Sequence, residues 1–491
     1  MPKNNEKVPT WATEKWGETS TRGINEFKWF VQERLLPILG IKNENPLISN
    51  VVSRKHITVE KGKDGERMVL FSAGGRAVYI APVPADLPEF TMEMGSKIID
   101  AFLDISCLYV KDNRLHNYYP NQVTYEKMVD AAIENGICRY CAGSNSESFF
   151  RLISSLETWA VKTYEGKKVS FGFLFNPDKD ANFSSKEEKE KGKSWLGFLK
   201  SDYAASLSDG IHSLIELDKD CNLCGFLSLT AGGMVDAYKL CDGAPYRFAQ
   251  VIQSYVTGSR VGVFLLNNGD IVLAKGGEVR VVKRNLKWLN ISFKAFSGFI
   301  TAELEEKPTE TLLRSIYASV LDVSFSHTGG IIAWIRNNEE WKKLTEHGAD
   351  KEAIIDPCDD LRSRVCDAGI EKRMIAARGK MPKKEKPMFN REIEMRLLKR
   401  KVVKTLICNS TFPQMDRKLR AELIAMDGAC VIDWKGRVRA VGAIIQNDSG
   451  SAGGGRTAAA KKLARYGFAI KISTDGYIEA FVGEDNVYSV K

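Results

Sequence analysis

The chain has 491 residues, of which 44% are hydrophobic and 27% are charged. At about 100–200 residues per domain, this length corresponds to roughly two to four domains, each able to bury a core. The composition excludes collagen-like, mucin-like and coiled-coil chains, and it shows no long disordered tract. The first residues are polar and lack a signal-peptide core, and no run of about 18 apolar residues could span a bilayer. We therefore expect a cytoplasmic protein without a membrane segment.

The ten cysteines are not typical of a disulfide framework, which belongs to short secreted domains. Four of them form two pairs, Cys138 with Cys141 and Cys221 with Cys224. A four-cysteine zinc site usually has its pairs about 15–20 residues apart, whereas 79 residues separate these two. We favour reduced structural thiols, and a long-range zinc site is the alternative.

The net charge of +9 is concentrated in one segment. Residues 371–404 contain 13 Lys and Arg residues and four Glu residues, so the rest of the chain carries no net charge. Clustered basic residues can bind nucleic acid, but Phe389 is the only aromatic residue there that could stack on bases. We favour a solvated loop followed by an exposed helix from Arg391. Nucleic-acid binding is the alternative, and attraction of a polyanionic nucleotide is a third possibility.

Helical spacing recurs in the first third of the chain. Glu26 to Leu39 predicts a short amphipathic helix, and residues 91–160 have helical spacing, including the stretch that ends at Val110. The residues from Ser144 to Glu147 have the form of a capping box, which predicts the start of a helix.

Strand patterns surround these helices. Residues 66–83 predict two strands around an Ala-Gly-Gly turn. Residues 259–285 predict a three-stranded meander, with a two-residue hairpin turn at Asn268-Gly269. The highly charged residues 184–194 predict an exposed connector. The first part of the chain therefore predicts an α+β module.

The pattern changes near residue 305, where a proline and a charge cluster predict a domain boundary. This gives an N-terminal module of residues 1–304 and a C-terminal domain of residues 305–491. In the C-terminal domain, Thr309 to Val323 predicts an amphipathic helix, and Gly329-Gly330 lead directly into an apolar strand.

The motif Asp427-Gly428-Ala429 follows a predicted helix at 419–426 and opens a pair of predicted strands. A carboxylate at the end of a sheet, followed by two residues with almost no side chain, leaves room for a ligand against the backbone. It could also hold a hard cation such as Mg²⁺ or Mn²⁺. The alternative is that Asp-Gly simply makes a turn.

The second of these strands leads into a glycine-rich loop, residues 446–455, and then into an alanine-rich helix that begins with Arg456-Thr457. Bare N–H groups and the positive end of the helix dipole favour an anion at such a position, and Arg456 adds a bidentate partner. The alternative is a flexible surface loop. Together with Asp427, this element predicts binding of a metal-bound triphosphate.

This pairing, in this order, resembles the diadenylate cyclase domain of the DNA-integrity scanning protein family. Asp427-Gly428-Ala429 matches the Asp-Gly-Ala motif of that family, and the Gly-Gly-Ile-Ile sequence at 329–332 is similar to its Gly-Ala-Leu-Ile strand. Ile470 to Ser473 lies where the family has the strand that ends in Val-Ser-Glu. The resemblance covers about residues 305–491. By analogy alone, the N-terminal module is a sensor.

The resemblance implies an α/β domain with a mixed β-sheet flanked by helices. It implies an enzyme that uses Mg²⁺ or Mn²⁺ to join two ATP molecules into a cyclic dinucleotide of the c-di-AMP type, within a homo-oligomer in which two C-terminal domains face each other. Asp427 would be the catalytic and metal-binding residue. The predicted nucleotide-binding residues are Gly329, Gly330, Gly428, Ala429, Gly454, Gly455, Arg456, Thr457 and Ser473.

The chain departs from the family at its Arg-His-Arg motif. Alignment back from Ser473 puts Arg456 on the last Arg, and Gly454 and Gly455 on the first Arg and the His. The basic segment, or Lys461 and Lys462, could supply the missing charge. The alternative function is therefore a catalytically inactive nucleotide-binding sensor of the same fold.

Overall fold

The computed structural model divides the chain into two units, each with its own sheet. Unit 1 comprises Met1–Cys241 and Gln250–Gly298, and unit 2 comprises Asp242–Ala249 and Phe299–Lys491. The division thus lies just before the predicted boundary at 305, and a short earlier segment also belongs to unit 2. The structure describes residues 26–41, 55–61, 67–73, 76–82, 89–105, 109–111, 114–116, 122–164, 166–179, 208–229, 243–345, 355, 359–362, 376, 379, 384–445 and 454–490.

Three predicted features lie wholly or largely outside the described residues. They are the charged connector at 184–194, most of the basic segment before Lys384, and residues 446–453 of the glycine-rich loop.

Unit 1 opens with the predicted amphipathic helix, which is confirmed as α1 over residues 26–39 and includes a π-helical stretch at Phe30–Leu35. A three-stranded antiparallel sheet follows, made of β1 (Ile57–Lys61), β2 (Arg67–Ala73) and β3 (Arg76–Pro82). The strands β2 and β3 confirm the two strands predicted around the Ala-Gly-Gly turn.

The next segment of unit 1 contains helices and two short hairpins. In chain order they are α2 (Glu89–Ile105), β4 (Tyr109–Lys111), β5 (Arg114–His116), α3 (Gln122–Ala142), α4 (Ser146–Ala160), β6 (Thr163–Tyr164) and β7 (Lys167–Lys168). Aromatic stacking joins α1 to α2, because the buried rings of Phe30 and Phe102 lie with their centroids 3.9 Å apart. The helices predicted within residues 91–160 are therefore confirmed in type.

Two details of that prediction are wrong. The helical spacing extends to Val110, but α2 ends at Ile105 and Val110 lies in β4, where the chain turns back to pair with β5. The capping box is also absent, because no side-chain hydrogen bond caps α4 at Asn145. Glu147 instead pairs with Arg151, one turn along the helix, at 2.5 Å.

A seven-stranded sheet completes unit 1. Its order is β10-β9-β8-β11-β12-β13-β14, with β8 and β9 parallel and every other pair antiparallel. The strands are β8 (Phe171–Phe175), β9 (Ser213–Leu217), β10 (Leu223–Ser228), β11 (Val261–Leu265), β12 (Ile271–Lys275), β13 (Glu278–Arg284) and β14 (Lys287–Asn290).

The predicted meander is confirmed as β11, β12 and β13. At its first turn Gly269 has a φ of +92°, which glycine adopts without steric cost. The turn lies where the Asn-Gly pair predicts it, but its predicted length of two residues is wrong. The N–H of Leu266 donates to the carbonyl oxygen of Asp270 at 2.9 Å, so three residues, Asn267 to Gly269, form the loop. The backbone N–H of Asp270 also donates to Oδ1 of Asn268 at 2.9 Å.

Unit 2 is built on a six-stranded mixed sheet in the order β17-β16-β15-β18-β19-β20. The strands are β15 (Gly330–Ile335), β16 (Ala429–Ile432), β17 (Val438–Ala443), β18 (Gly467–Ile472), β19 (Ile478–Val482) and β20 (Asp485–Val490). Only β15 and β16 run parallel among these pairs. The protein is thus mixed α/β, as predicted at that level.

The remaining helices are α5, which precedes the meander, and α6 to α11, which follow it. They are α5 (Tyr246–Tyr255), α6 (Phe293–Ala302), α7 (Glu310–Ser326), α8 (Asn338–Thr345), α9 (Lys386–Ile407), α10 (Arg417–Ala425) and α11 (Gly455–Ala464). The divisions between the units fall within α5 and α6. The helices predicted at 309–323 and 419–426 are confirmed as α7 and α10, and the predicted exposed helix from Arg391 begins earlier, at Lys386.

Helices cover both faces of the central strands of this sheet. On one face, Ile331 and Ala333 of β15 belong to a core with Ala460 and Leu463 of α11. Side chains alternate along a strand, so Gly330 points to the other face, where a Cβ atom would overlap the carbonyl oxygen of Ile424 in α10. Among the described residues, α10 and α11 therefore cover the two faces of β15.

A buried ion pair ties α7 to α10. The guanidinium of Arg417 donates to the Asp322 carboxylate from Nε at 2.7 Å and from Nη2 at 2.9 Å. The same carboxylate accepts a hydrogen bond from the backbone N–H of Tyr246 at 2.7 Å. Arg417 also donates to the carbonyl oxygen of Ala244, which explains why Asp242–Ala249 belongs to unit 2.

Candidate site at one end of the unit 2 sheet

Four strand ends meet at one end of the unit 2 sheet. Gly330 at the start of β15 pairs with Ile472 at the end of β18, and its neighbour Ile331 pairs with Ala429 at the start of β16. Ala429 in turn pairs with Ala443, the last residue of β17. The segments that enter β15 and β16 and those that leave β17 and β18 therefore share this end. The predicted site residues lie on or beside these segments. They are Gly329-Gly330, Asp427-Gly428-Ala429, the residues from Gly454 to Thr457, and Ser473.

Arg456 lies directly against Gly329. Gly329 has a φ of +72°, and a Cβ atom there would come within 2.8 Å of Nη1 of Arg456 and 3.2 Å of the backbone nitrogen of Thr474. The guanidinium can occupy this place only because residue 329 has no side chain. Within the described part of the chain, no hydrogen bond or ion pair engages the exposed Arg456 side chain. Its charge is therefore available to a ligand.

The N-terminus of α11 lies beside this arginine. Gly454 is the N-cap residue with a φ of +81°, and its carbonyl oxygen accepts from the N–H groups of Thr457 and Ala458 at 3.1 and 3.2 Å. A Cβ atom at Gly454 or Gly455 would meet none of the described residues within 4 Å. A helix start with this open approach and an adjacent guanidinium can bind an anionic group.

Thr457 fixes the first turn of α11 to the sheet. Its Oγ1 accepts a hydrogen bond from Nζ of Lys471 in β18 at 2.8 Å. The same ammonium group donates to Oε2 of the buried Glu479 in β19 at 2.7 Å. This contact gives Thr457 a role in positioning the helix, and its role in nucleotide binding stays a prediction.

In the Asp427-Gly428-Ala429 motif, the three residues differ in their surroundings. Asp427 is exposed, and within the described residues no hydrogen bond or ion pair engages its carboxylate. Gly428 has a φ of +100°, and a Cβ there would overlap the backbone of Gly442 in β17. Ala429 is buried. Gly428 is thus explained by close strand packing, and Asp427 is the member that can contact a ligand.

Two further predicted residues take part in local structure. Gly330 permits the close approach of α10, as described above. Oγ of Ser473 accepts a hydrogen bond from the backbone N–H of Tyr477 at 3.1 Å and thereby closes the turn between β18 and β19. The nucleotide contact of each stays a prediction.

A lysine of α9 reaches the same end of the sheet. Nζ of Lys399 donates to the carbonyl oxygen of Gly442 at 3.2 Å. Gly442 has a φ of +61°, and a Cβ there would overlap Nζ of Lys399 and come within 2.7 Å of the carbonyl oxygen of Asp427. Lys399 therefore lies beside Asp427. The sequence indicated that the basic segment could contribute charge, but only the position of α9 identifies this residue.

The other predicted sources of charge are not at this end. Nζ of Lys461 lies over the ring of Phe481, 5.8 Å from its centroid. Phe481 pairs with Ala469, so this contact lies toward the opposite end of the sheet. Lys462 follows Lys461 in the second half of α11.

Candidate metal ligands are sparse. Among the described residues, no group of three or more His, Cys, Asp or Glu side chains could hold a metal ion. Burial raises the pKa of the Cys141 thiol to about 12, and burial also raises the pKa values of Cys138 and Cys221. These thiols are protonated near neutral pH, as expected of structural cysteines.

No protein-family model, curated protein or solved structure matches this chain. None of the helices in the described part of the chain has the length and apolarity needed to cross a bilayer.

Proposed function

We propose that unit 2 binds ATP with Mg²⁺ or Mn²⁺ and is a nucleotidyl cyclase that joins two ATP molecules into a cyclic dinucleotide, with unit 1 as its sensor. One observation supports this most strongly. The guanidinium of Arg456, which has no ion-pair partner among the described residues, lies against Gly329, at the same end of the sheet as the exposed carboxylate of Asp427. A metal–triphosphate complex needs a cationic group for its phosphates and an anionic group for its metal.

The phosphates would bind at the start of α11. Arg456 can donate two parallel hydrogen bonds to phosphate oxygens, and the N–H groups of the first turn can donate to the same group. Among the described residues, none would lie within 4 Å of a Cβ atom at Gly454 or Gly455. Lys399, whose Nζ lies near the backbone of Asp427, would add a second positive charge.

The residues present fit a metal ion that arrives with the nucleotide. Mg²⁺ in nucleotide sites is usually held by one or two carboxylates together with substrate phosphates, and Asp427 supplies one exposed carboxylate. When bound, the metal would offset charge on the reacting phosphate. Asp427 would hold it, and Mn²⁺ could take its place.

The reaction requires two copies of the site. The 3′-hydroxyl oxygen of one ATP forms a bond to the α-phosphorus of the other, the bond to the β-phosphate bridging oxygen breaks, and pyrophosphate leaves while the hydroxyl proton passes to solvent. A second such step closes the ring. The protein contributes mainly position and electrostatic stabilisation, as is usual in phosphoryl transfer. A homo-oligomer through unit 2 would supply the second site.

A second candidate is a sensor that binds the nucleotide without turning it over. The absence of side chains at Gly454 and Gly455 favours it, because the diadenylate cyclase motif has an arginine and a histidine there. The two candidates share the binding site and differ only in turnover.

Incubation of the full-length protein with ATP labelled at the α-phosphate, in the presence of Mn²⁺, separates these functions. The cyclase predicts a labelled cyclic dinucleotide together with pyrophosphate. Saturable ATP binding without pyrophosphate release would favour the sensor, and the absence of binding would overturn both.

Asp427→Asn is the matching variant, because a neutral amide of equal size is a poor ligand for a hard cation. We expect it to abolish turnover and the metal-dependent part of ATP affinity. Asp485→Asn is the control, since Asp485 is also exposed but begins β20 at the opposite end of the sheet. Equal activity of the Asp427 variant and the parent would show that Asp427 is only a turn residue.

A further inference from the structure

Helix α9 carries a row of exposed apolar side chains. Met388, Met395, Leu398, Val402 and Leu406 are each between 50% and 79% exposed. The helix buries a different face, that of Arg400, Val403 and Ile407. At 100° per residue the two faces lie more than a third of a turn apart. The exposed row, which we call the outer seam, is thus not the edge of the core of unit 2.

The spacing of the outer seam is that of a coiled coil. Met388, Met395 and Val402 are seven residues apart, and Leu398 lies three residues after Met395. These are the a and d positions of a heptad repeat. So narrow a stripe suits a second helix, whereas a membrane-surface helix has a broader apolar face.

Charged residues on the two sides of the outer seam indicate which helix could pack against it. The flanking e and g positions hold Glu392 and Glu394 in the first half of α9, and Lys399 and Lys401 in the second half. Glu394 and Lys401 are exposed, and neither makes an ion pair with another described residue. A helix with acidic flanks first and basic flanks second is complementary to itself when the second copy runs in the opposite direction.

We propose that α9 pairs with α9 of a second copy of this chain as an antiparallel two-helix coiled coil along the outer seam. In the two-fold register, Met395 packs opposite Leu398 of the second copy. The same register puts Glu394 beside the partner's Lys401, and Lys401 beside the partner's Glu394. This interface does not rest on the proposed ATP site, although Lys399 flanks the seam and also lies beside Asp427.

The parallel arrangement is less favourable. There, g positions face e positions of the next heptad, so Glu394 would lie beside the partner's Lys399, but Lys401 would lie beside the partner's Leu406 and have no acidic neighbour. The antiparallel register instead gives both Glu392 and Glu394 a lysine of the partner. The seam is also short, since a helix of 22 residues is about 33 Å long. Two of its three d positions are polar, Arg391 and Thr405, and Leu406 lies at an e position. We therefore expect a reversible dimer.

Sedimentation equilibrium of the full-length protein, from about 1 to about 100 µM, covers the range expected for so small an interface. We expect the mass to rise with concentration from 54.8 kDa toward twice that value. Lys401→Glu turns both symmetry-related attractions into repulsions and should weaken the dimer about tenfold or more. The double variant Glu394→Lys/Lys401→Glu should restore it.

Lys404→Glu is the matched control, because it makes the same charge change on the same helix, at an exposed position away from the seam. It should dimerise like the parent. A monomer at every concentration would overturn the proposal. So would a dimer that Lys401→Glu leaves unchanged, a double variant that is no stronger than Lys401→Glu alone, or a monomer that floats with phosphatidylglycerol vesicles.

Discussion

Gly329→Ala tests the contact on which the candidate site depends. The new methyl group would lie 2.8 Å from Nη1 of Arg456 and 3.2 Å from the backbone nitrogen of Thr474. The backbone cannot easily yield, because Gly329 leads directly into the buried strand β15. The guanidinium of Arg456 is exposed and can move. We therefore expect the substitution to displace Arg456 from the end of the sheet.

Gly329→Ala should lower two quantities, the free energy of unfolding and the affinity for ATP. An alanine at a φ of +72° costs about 1–2 kcal/mol in the free energy of unfolding. A displaced guanidinium loses a charge-assisted hydrogen bond to phosphate, which contributes about 1.5–3 kcal/mol and corresponds to about tenfold to a hundredfold in ATP affinity. Arg456→Ala should lose the same affinity without the backbone strain.

Isothermal titration of ATP into the parent, both single variants and the double variant measures their affinities for ATP. Because both substitutions remove the same contact, the double variant should bind ATP no more weakly than Arg456→Ala alone. Gly483→Ala is the control, since Gly483 has a φ of +59° and no described residue within 4 Å of its Cβ position, but lies beyond β19, at the opposite end of the sheet. It should lose stability and keep ATP affinity.

Two results of these titrations would contradict this prediction. If Gly329→Ala binds ATP like the parent, the place of Arg456 beside Gly329 has no part in nucleotide binding. If the two variants are additive, Gly329 and Arg456 act through separate contacts. Either result would remove the contact that supports the proposed site.

Three further predictions concern other parts of the molecule. Lys399→Met should weaken ATP binding measured by titration, whereas Lys461→Met should not, because only Lys399 lies beside Asp427; equal affinities of both variants and the parent would contradict this. Arg417→Met should lower the free energy of unfolding by about 3–5 kcal/mol in denaturant titration, since it leaves the Asp322 carboxylate buried and uncompensated; a loss below about 1 kcal/mol would show that the pair contributes little. Iodoacetamide near neutral pH should label the exposed Cys408 and spare Cys141 and Cys430, because burial raises the pKa of both thiols to about 12; peptide mass spectrometry reads this directly, and early labelling of Cys430 would contradict it.

Much of the fold could be predicted where one local signal dominates. The Asn268-Gly269 turn and the strands beside it follow from the backbone freedom of glycine and from the apolar residues around it. The capping box at Ser144 failed for the opposite reason. The short helical turn Gly143–Asn145 leads directly into α4, and the side chain of the N-cap residue, Asn145, makes no capping hydrogen bond to the first N–H groups. Its Oδ1 instead accepts from Oγ of Ser144 at 3.3 Å.

The candidate site was predictable only in part. Asp427 and Arg456 stand out together, because an Asp-Gly turn explains a lone carboxylate before a strand but not a cation at the start of a following helix. The glycines could not be sorted from sequence. Gly428 serves close strand packing, whereas Gly329 makes room for a guanidinium. Lys399 could not be singled out among the basic residues of its segment, because its contact depends on how α9 packs beside β17.

A comparison of ATP with AMP in calorimetric titrations of the full-length parent, with Mg²⁺ present, tests the central claim most directly. If Arg456, the start of α11 and Asp427 hold a metal–triphosphate, ATP should bind at one site per chain and about a hundredfold or more tighter than AMP, which lacks the β- and γ-phosphates and the metal they hold. Removal of Mg²⁺ with a chelator should then reduce the affinity for ATP and leave that for AMP unchanged. Equal affinity for ATP and AMP, or no saturable binding of ATP, would contradict the account.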